Sequence, residues 1–201
     1  MGKGLDPQQL LANYQQMKDE QLIRIAAKDA KGLTPEAIDI ITSEIRRRGL
    51  PENLANAIDA QNKSYSLQEI DSYCDLLSGL SCPSCGSAGE RLNATMTGEV
   101  MSFVLMTHYS KKLKVACPSC LDSANNKALT TTAILGWWGI PWGIIRTIQY
   151  ISLNVKNKRS NHEPTHNNFL RGFVVGNIGL IETYKNDRQK LREVLVRHNA
   201  S

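Results

Sequence analysis

A chain of 201 residues can bury one substantial core or several small ones, and 41% hydrophobic with 21% charged residues and no long low-complexity tract excludes a disordered or fibrous chain. The net charge of +5, with a pI near 9.0, favours acidic partners such as nucleic acid or anionic lipid but is too small to choose between them. The opening MGKGLDPQQL holds no apolar signal core, and Asp6 stands where N-myristoylation needs Ser or Thr, so a cytoplasmic chain is expected. In that reducing compartment, four of the five cysteines set in two C-x-x-C pairs point to metal ligation rather than disulfides.

The N-terminal third reads as short helices. In GLTPEAIDIITSEIRRRGLP, Thr34 is placed to cap, Pro35 suits the first helical position, Ala37, Ile40, Ile41 and Ile45 form an apolar stripe, and Gly49 with Pro51 ends the run. Leu22, Ile23 and Ala26 just upstream are expected in the same small core. A Ser66 to Glu69 capping box opens the next helix, whose spacing makes Cys74 a buried small hydrophobe rather than a ligand.

CPSCG at 82–86 and CPSC at 117–120 form the strongest motif. Cys82, Cys85, Cys117 and Cys120 can supply four thiolates to a tetrahedral zinc, a closed set with no open position for substrate. Gly86 can take the turn conformation that aims amides at sulfur, whereas the second pair has Leu121 at the matching place. The pairs are separated by 31 residues, and the strand-forming EVMSFVLMTHYSKKLKVAC at 99–117 is expected as a β-hairpin turning at about Ser110. A redox dithiol is the competing reading, but it requires a βαβ setting that the pattern lacks, and His108 is a spare donor.

GWWGIPWG, residues 136–143, gathers all three tryptophans around a break. Trp137, Trp138, Pro141 and Trp142 are expected to face a membrane or a partner. From Ala128 to Ile145 there are 18 residues without charge, diluted by Thr130, Thr131 and Thr132; a spanning helix needs about 20, and extending the run takes in Arg146. Pro141 and the glycines therefore predict two short helices meeting at a bend, lying in the interface, with KNKR at 156–159 against anionic lipid. The competing reading is a buried helical hairpin.

NHEPTH, residues 161–166, carries the order H-E-x-x-H of a metalloprotease, which functions only on a helix. Pro164 prevents that helix, pushing Glu163 to an extended conformation and leaving His162 outside any helix beginning at Pro164; the stretch is expected as a solvated linker. Beyond it, Phe169, Leu170, Phe173, Val174 and Ile178 set one helix, and Leu191, Val194 and Leu195 a second starting near Asn186.

The double C-x-x-C followed by GWWGIPWG and IRTIQYI resembles a chiefly bacterial group of mostly uncharacterised proteins that join a zinc ribbon to a membrane-associated hydrophobic segment. LTPEAIDIITSEIRRRGL is similar to the short helical modules preceding such segments. The resemblance covers residues 20–50 and 82–155. It implies the four cysteines as ligands and the tryptophan segment as membrane-facing, and it implies no reaction. The expected fold is α+β: an N-terminal helical module (1–65), a zinc ribbon with leading helix (66–126), a bent hydrophobic hairpin (127–157) and a linker with a C-terminal helical pair (158–201). The expected function is non-enzymatic, a zinc-bound scaffold or adaptor at the cytoplasmic membrane surface with an unidentified protein partner and no small-molecule substrate. The alternative is a soluble ribbon binding nucleic acid through Lys111, Lys112 and Lys114, or binding a protein.

Overall fold

The computed structural model describes residues 7–103 and 106–200, and its backbone divides into two compact units. The first comprises residues 1–67 and 174–187. Its helices are α1 (Pro7–Gln16), α2 (Asp19–Arg24) continuing into a π-helical turn (Ile25–Asp29), α3 (Pro35–Arg47), α4 (Asn53–Asn62) and the later α9 (Ile178–Tyr184). At α3 the local signals act as expected. Thr34 Oγ1 accepts from the Ala37 amide at 3.3 Å, Pro35 holds the first helical position, and Gly49 turns the chain at φ 65°. Leu22, Ala26, Ile41, Ile45, Leu54 and Ile58 bury against one another as an apolar core. Arg48 locks the rim. Its guanidinium bonds the α1 carbonyls of Tyr14 and Gln15 and that of Met17, and its Nε donates to Glu44 Oε1 at 2.6 Å.

The second unit comprises residues 68–173 and 188–201. It contains α5 (Leu67–Ser78), a two-stranded antiparallel sheet of β1 (Asn93–Phe103) and β2 (Met106–Ala116), α6 (Pro118–Leu135), α7 (Trp142–Arg159), a single 3-10 turn (Ser160–His162) and α10 (Arg188–Ala200). Helix α8 (Asn168–Gly176) spans the boundary between the units at residue 173. The fold is thus α+β, with ten α-helices among the described residues. Cys74 is fully buried on α5, and burial pushes its thiol up to about 12, as a structural cysteine requires.

Four expectations need correction. The hairpin does not turn at Ser110. That residue pairs with Glu99 in mid-strand, and the last described pair is Phe103 with Met106, so apolar residues placed in a strand interior stand at its tip. The helices around GWWGIPWG are not short: α6 runs unbroken for 18 residues from Pro118, because nothing between that proline and Gly136 interrupts it, and α7 also has 18. The 161–166 stretch is solvated only in part: residues 162–165 are exposed, but Asn161, His166 and the following Asn167 are buried, and the next helix begins at Asn168, not Pro164. The C-terminal pair is three helices, because Asn177, at φ −127° and ψ 19°, breaks α8 from α9.

Helices α6 and α7 pack along the free edge of β1 with an inverted pattern. α7 buries Gly143, Thr147, Tyr150, Asn154 and Asn157, a stripe spaced by four and three residues, and α6 buries Leu121, Asn125, Ala128 and Thr132 likewise. These side chains replace a missing third strand. Asn154 accepts from the Gly98 amide at 3.0 Å and donates to the Gly98 carbonyl at 2.6 Å. Thr132 Oγ1 accepts from Val100 N, Asn157 donates to Met96 O, and Asn167 donates to Ala94 O. Asn199 of α10 treats Val115 on the other edge in the same way, accepting at 3.0 Å and donating at 2.8 Å. Gly98 admits this approach: a methyl there would lie 2.5 Å from Tyr150 Cδ1.

Candidate metal centre and exposed apolar end

The first cysteine pair sits on a tight turn. The Gly86 amide donates to Cys82 O at 2.9 Å, with Gly86 at φ 78° as its position in the motif anticipates, and the Cys82 amide donates to Ser87 O at 2.8 Å. The second pair follows directly from β2. Cys117 caps α6, Pro118 opens it, and Cys120 lies in its first turn, where helix amides favour negative charge. The sheet spans the gap between the pairs and returns the chain, so all four Sγ atoms lie within 4.8 Å of one another. Cys82 and Cys117 are buried, Cys120 is half-buried and Cys85 is exposed. The donor set fits a metal: a tetrahedral site with Zn–S bonds of about 2.3 Å has S···S edges of roughly 3.8 Å, and Cys85 Sγ lies 3.8 Å from Cys117 Sγ. In addition, the Cys117 amide donates to Cys82 Sγ at 3.4 Å.

The sulfurs differ electrostatically. The Ser87 hydroxyl and then the Ser87 backbone, with smaller help from Cys120 and Cys82, hold the Cys85 thiol down to about 6. Burial raises Cys117 and Cys120, and for Cys120 the neighbouring thiols Cys117 and Cys85 add to it. Four thiolates this close repel one another, and a divalent cation removes that penalty. Among the described residues, this is the cluster of three or more His, Cys, Asp or Glu arranged for a metal.

The H-E-x-x-H residues do not form a second one. His162 ends the 3-10 turn, and its Nε2 lies 3.0 Å from Asp122 Oδ2. Glu163 is extended at ψ 134°, as the following proline dictates. His166 Nε2 lies 3.0 Å from Asp75 Oδ1, which also accepts from Arg91 at 2.8 Å. The stretch is a fastening within the second unit. Its asparagines, and those of α6 and α7, gave no recognisable motif because one residue type reaches backbone groups far away in sequence.

Trp137, Trp138, Pro141 and Trp142 lie at or beside the turn between α6 and α7. Trp138 is 68% exposed, Trp142 66% and Ile140 82%, and the Ile140–Pro141 peptide is cis. The indole N–H groups of Trp137 and Trp138 donate to Ala133 O and Ile134 O at 2.8 and 3.1 Å. These bonds occupy carbonyls at the end of α6 and leave neither ring needing water for its donor. Ile134, Ile144, Ile145, Ile148 and Val155 continue the exposed apolar surface. No helix among the described residues is long and apolar enough to cross a membrane. Lys111, Lys112 and Lys114 stand on β2, where strand alternation sends Lys111 to one face and the other two to the opposite face.

No protein-family model matches the chain, nor does any curated protein or solved structure. The site is therefore read from its own geometry.

Proposed function

We propose that this chain is a non-enzymatic, zinc-braced scaffold or adaptor that works at the cytoplasmic surface of a membrane, with the cysteine pairs and sheet acting as a zinc ribbon. The observation that carries this reading is the continuity of α6. Cys117 caps it, its first turn holds Cys120, and its last leads into Trp137 and Trp138. Zinc bound by Cys82, Cys85, Cys117 and Cys120 would tie the base of the α6–α7 hairpin to the sheet, supporting a rigid mount for the apolar turn. A closed set of four thiolates leaves no coordination position for substrate, which favours structure over catalysis. Exposed tryptophans beside isoleucines favour lipid, since so large an uncovered apolar surface is unfavourable in water.

The test is sedimentation of the zinc-loaded chain with lipid vesicles. Native protein is expected in the vesicle pellet, and a variant with serine at Trp137, Trp138 and Trp142 in the supernatant. A native chain that stays in the supernatant contradicts the membrane reading.

A further inference from the structure

Phe103 and Met106 face each other at the described end of the hairpin and are 67% and 71% exposed. Their neighbours touch the tryptophan turn. A methyl on Gly139 would lie 2.5 Å from Thr107 Oγ1 and 3.2 Å from Ser102, and one on Gly143 would lie 2.8 Å from Ser102 Oγ. The strand tips and the helix turn therefore form one apolar end, assembled from segments more than thirty residues apart. We propose that this whole end, Phe103 and Met106 together with the tryptophan turn, inserts into the headgroup layer of an anionic phospholipid bilayer, with Tyr109, Lys111 and Arg146 at phosphate depth. This deepens the membrane reading above and rests on it.

Depth and charge both support the assignment. Along β2 the path from Met106 is about 10 Å to Tyr109 and about 16 Å to Lys111. Along α7 it is about 6 Å from Trp142 to Arg146 and about 9 Å to Ile148. Interfacial elements sink about 5–10 Å, with cationic side chains reaching back towards phosphate. At that level the groups form a belt: Arg146 Cζ lies 4.9 Å from the centre of the Tyr109 ring, Tyr109 packs edge-on to Tyr150 at 6.2 Å, and Lys111 Nζ lies 5.7 Å from the Tyr150 ring.

Between Val100 and His162 the chain has eight of its 24 basic and one of its 19 acidic residues, so this segment carries +7 and the remainder −2. The single acid, Asp122, lies towards the cysteine end of α6, bonded to Asn161 and His162. Glu99, four residues back along β1 from Phe103, pairs with Ser110 and so stands at the level of the belt, between Tyr109 and Lys111, rather than at the apolar tip. A second copy of this chain would bring like charge against like charge, whereas an anionic leaflet complements it.

The test uses the zinc-loaded full chain with vesicles of phosphatidylcholine alone or mixed with phosphatidylglycerol. A Phe103→Ser, Met106→Ser variant with all three tryptophans intact is expected to partition roughly tenfold or more weakly onto the mixed vesicles. Lys111→Gln with Arg146→Gln is expected to weaken partition onto the mixed vesicles alone. As a second measurement, a chain with phenylalanine at positions 137, 138 and 142 and Phe103→Trp carries one reporter, whose emission should shift blue on the mixed vesicles. If native protein binds but the serine variant binds equally and the reporter does not shift, insertion of the strand tips is overturned while the tryptophan reading stands. Equal native binding to both vesicle types overturns the anionic assignment. If native protein binds neither vesicle, or self-associates so that its apolar end is covered, both readings fall.

Discussion

The first unit and the α6–α7–β1 region of the second solve opposite problems with helices of ordinary length. In α3, Ala37, Ile41 and Ile45 turn inward, Glu44 is buried with them where Arg47 and Arg48 bond it, and the other charged residues face out, so the hydrophobic effect orders the helix. In α7, Thr147, Asn154 and Asn157 turn inward, while Ile144, Ile148 and Val155 face out. That region is held by hydrogen bonds to a strand edge and by close approach at glycine, including Gly136, where a methyl would overlap Thr147. The comparison teaches that a helix with little net amphipathicity can still have two distinct faces, if its buried partner is a backbone edge in need of donors and acceptors.

The contrast is broken most severely at the metal. Cys85→Ser with Cys117→Ser is expected to abolish zinc binding, from about one ion per chain in elemental analysis of the native protein, and to remove the cooperative melting of the second unit. The first unit, which holds none of the four cysteines, should keep its own transition. A double variant retaining full zinc would sink the assignment.

Next come paired substitutions that test inside against outside. Ile41→Ala in the first unit should cost about 2–5 kcal/mol, the usual range for an emptied core position. Asn154→Leu should cost about 2–4 kcal/mol despite adding apolar volume, since it leaves the Gly98 amide and carbonyl without partners. If thermal denaturation showed Asn154→Leu to be stabilising, the polar stripe would be incidental to the fold. Ile148→Ser on the outer face should move stability by no more than about 0.5 kcal/mol while reducing apolar exposure.

The two regions should also differ in acid. Glu44, buried on α3, is held at about 2, first by its hydrogen bond from Arg47 and, against burial, by Arg48. Its ordinary value is about 4.3. A depressed carboxyl contributes stability above its unfolded value, so that contribution is complete above about pH 5 and is lost as pH falls towards 2. Melting of the first unit from pH 6 to pH 2.5, with Glu44→Gln for comparison, checks this; the variant should show a flatter dependence in that window.

The parts legible in sequence were those governed by neighbours along the chain. The cap and stop of α3, the two cysteine turns, the buried Cys74 and the break of H-E-x-x-H at Pro164 each depend on a few adjacent residues. The legible part of the site is thus its ligand set. What stayed hidden depends on distant partners. No neighbour along the chain announces the burial of Asn154 and Asn167, which follows only when β1 presents its backbone to them, and NHEPTH, 161–166, reads as linker for the same reason. The place of the turn is hidden because FVLM between Met101 and Thr107 has the composition of a strand interior, whereas Phe103 and Met106 are exposed where the described strands end. Their apolarity is visible in the sequence, but their exposure is not.

The most direct test of the account is quenching of intrinsic tryptophan emission in the zinc-loaded chain by anionic vesicles whose acyl chains carry bromine. With Trp138 and Trp142 about two-thirds exposed, emission in buffer should be water-like. On vesicles it should shift blue and be quenched. Emission that is already blue in buffer and unaffected by brominated lipid would mean that the rings are buried in protein, and would contradict the claim that this end of the molecule faces a membrane.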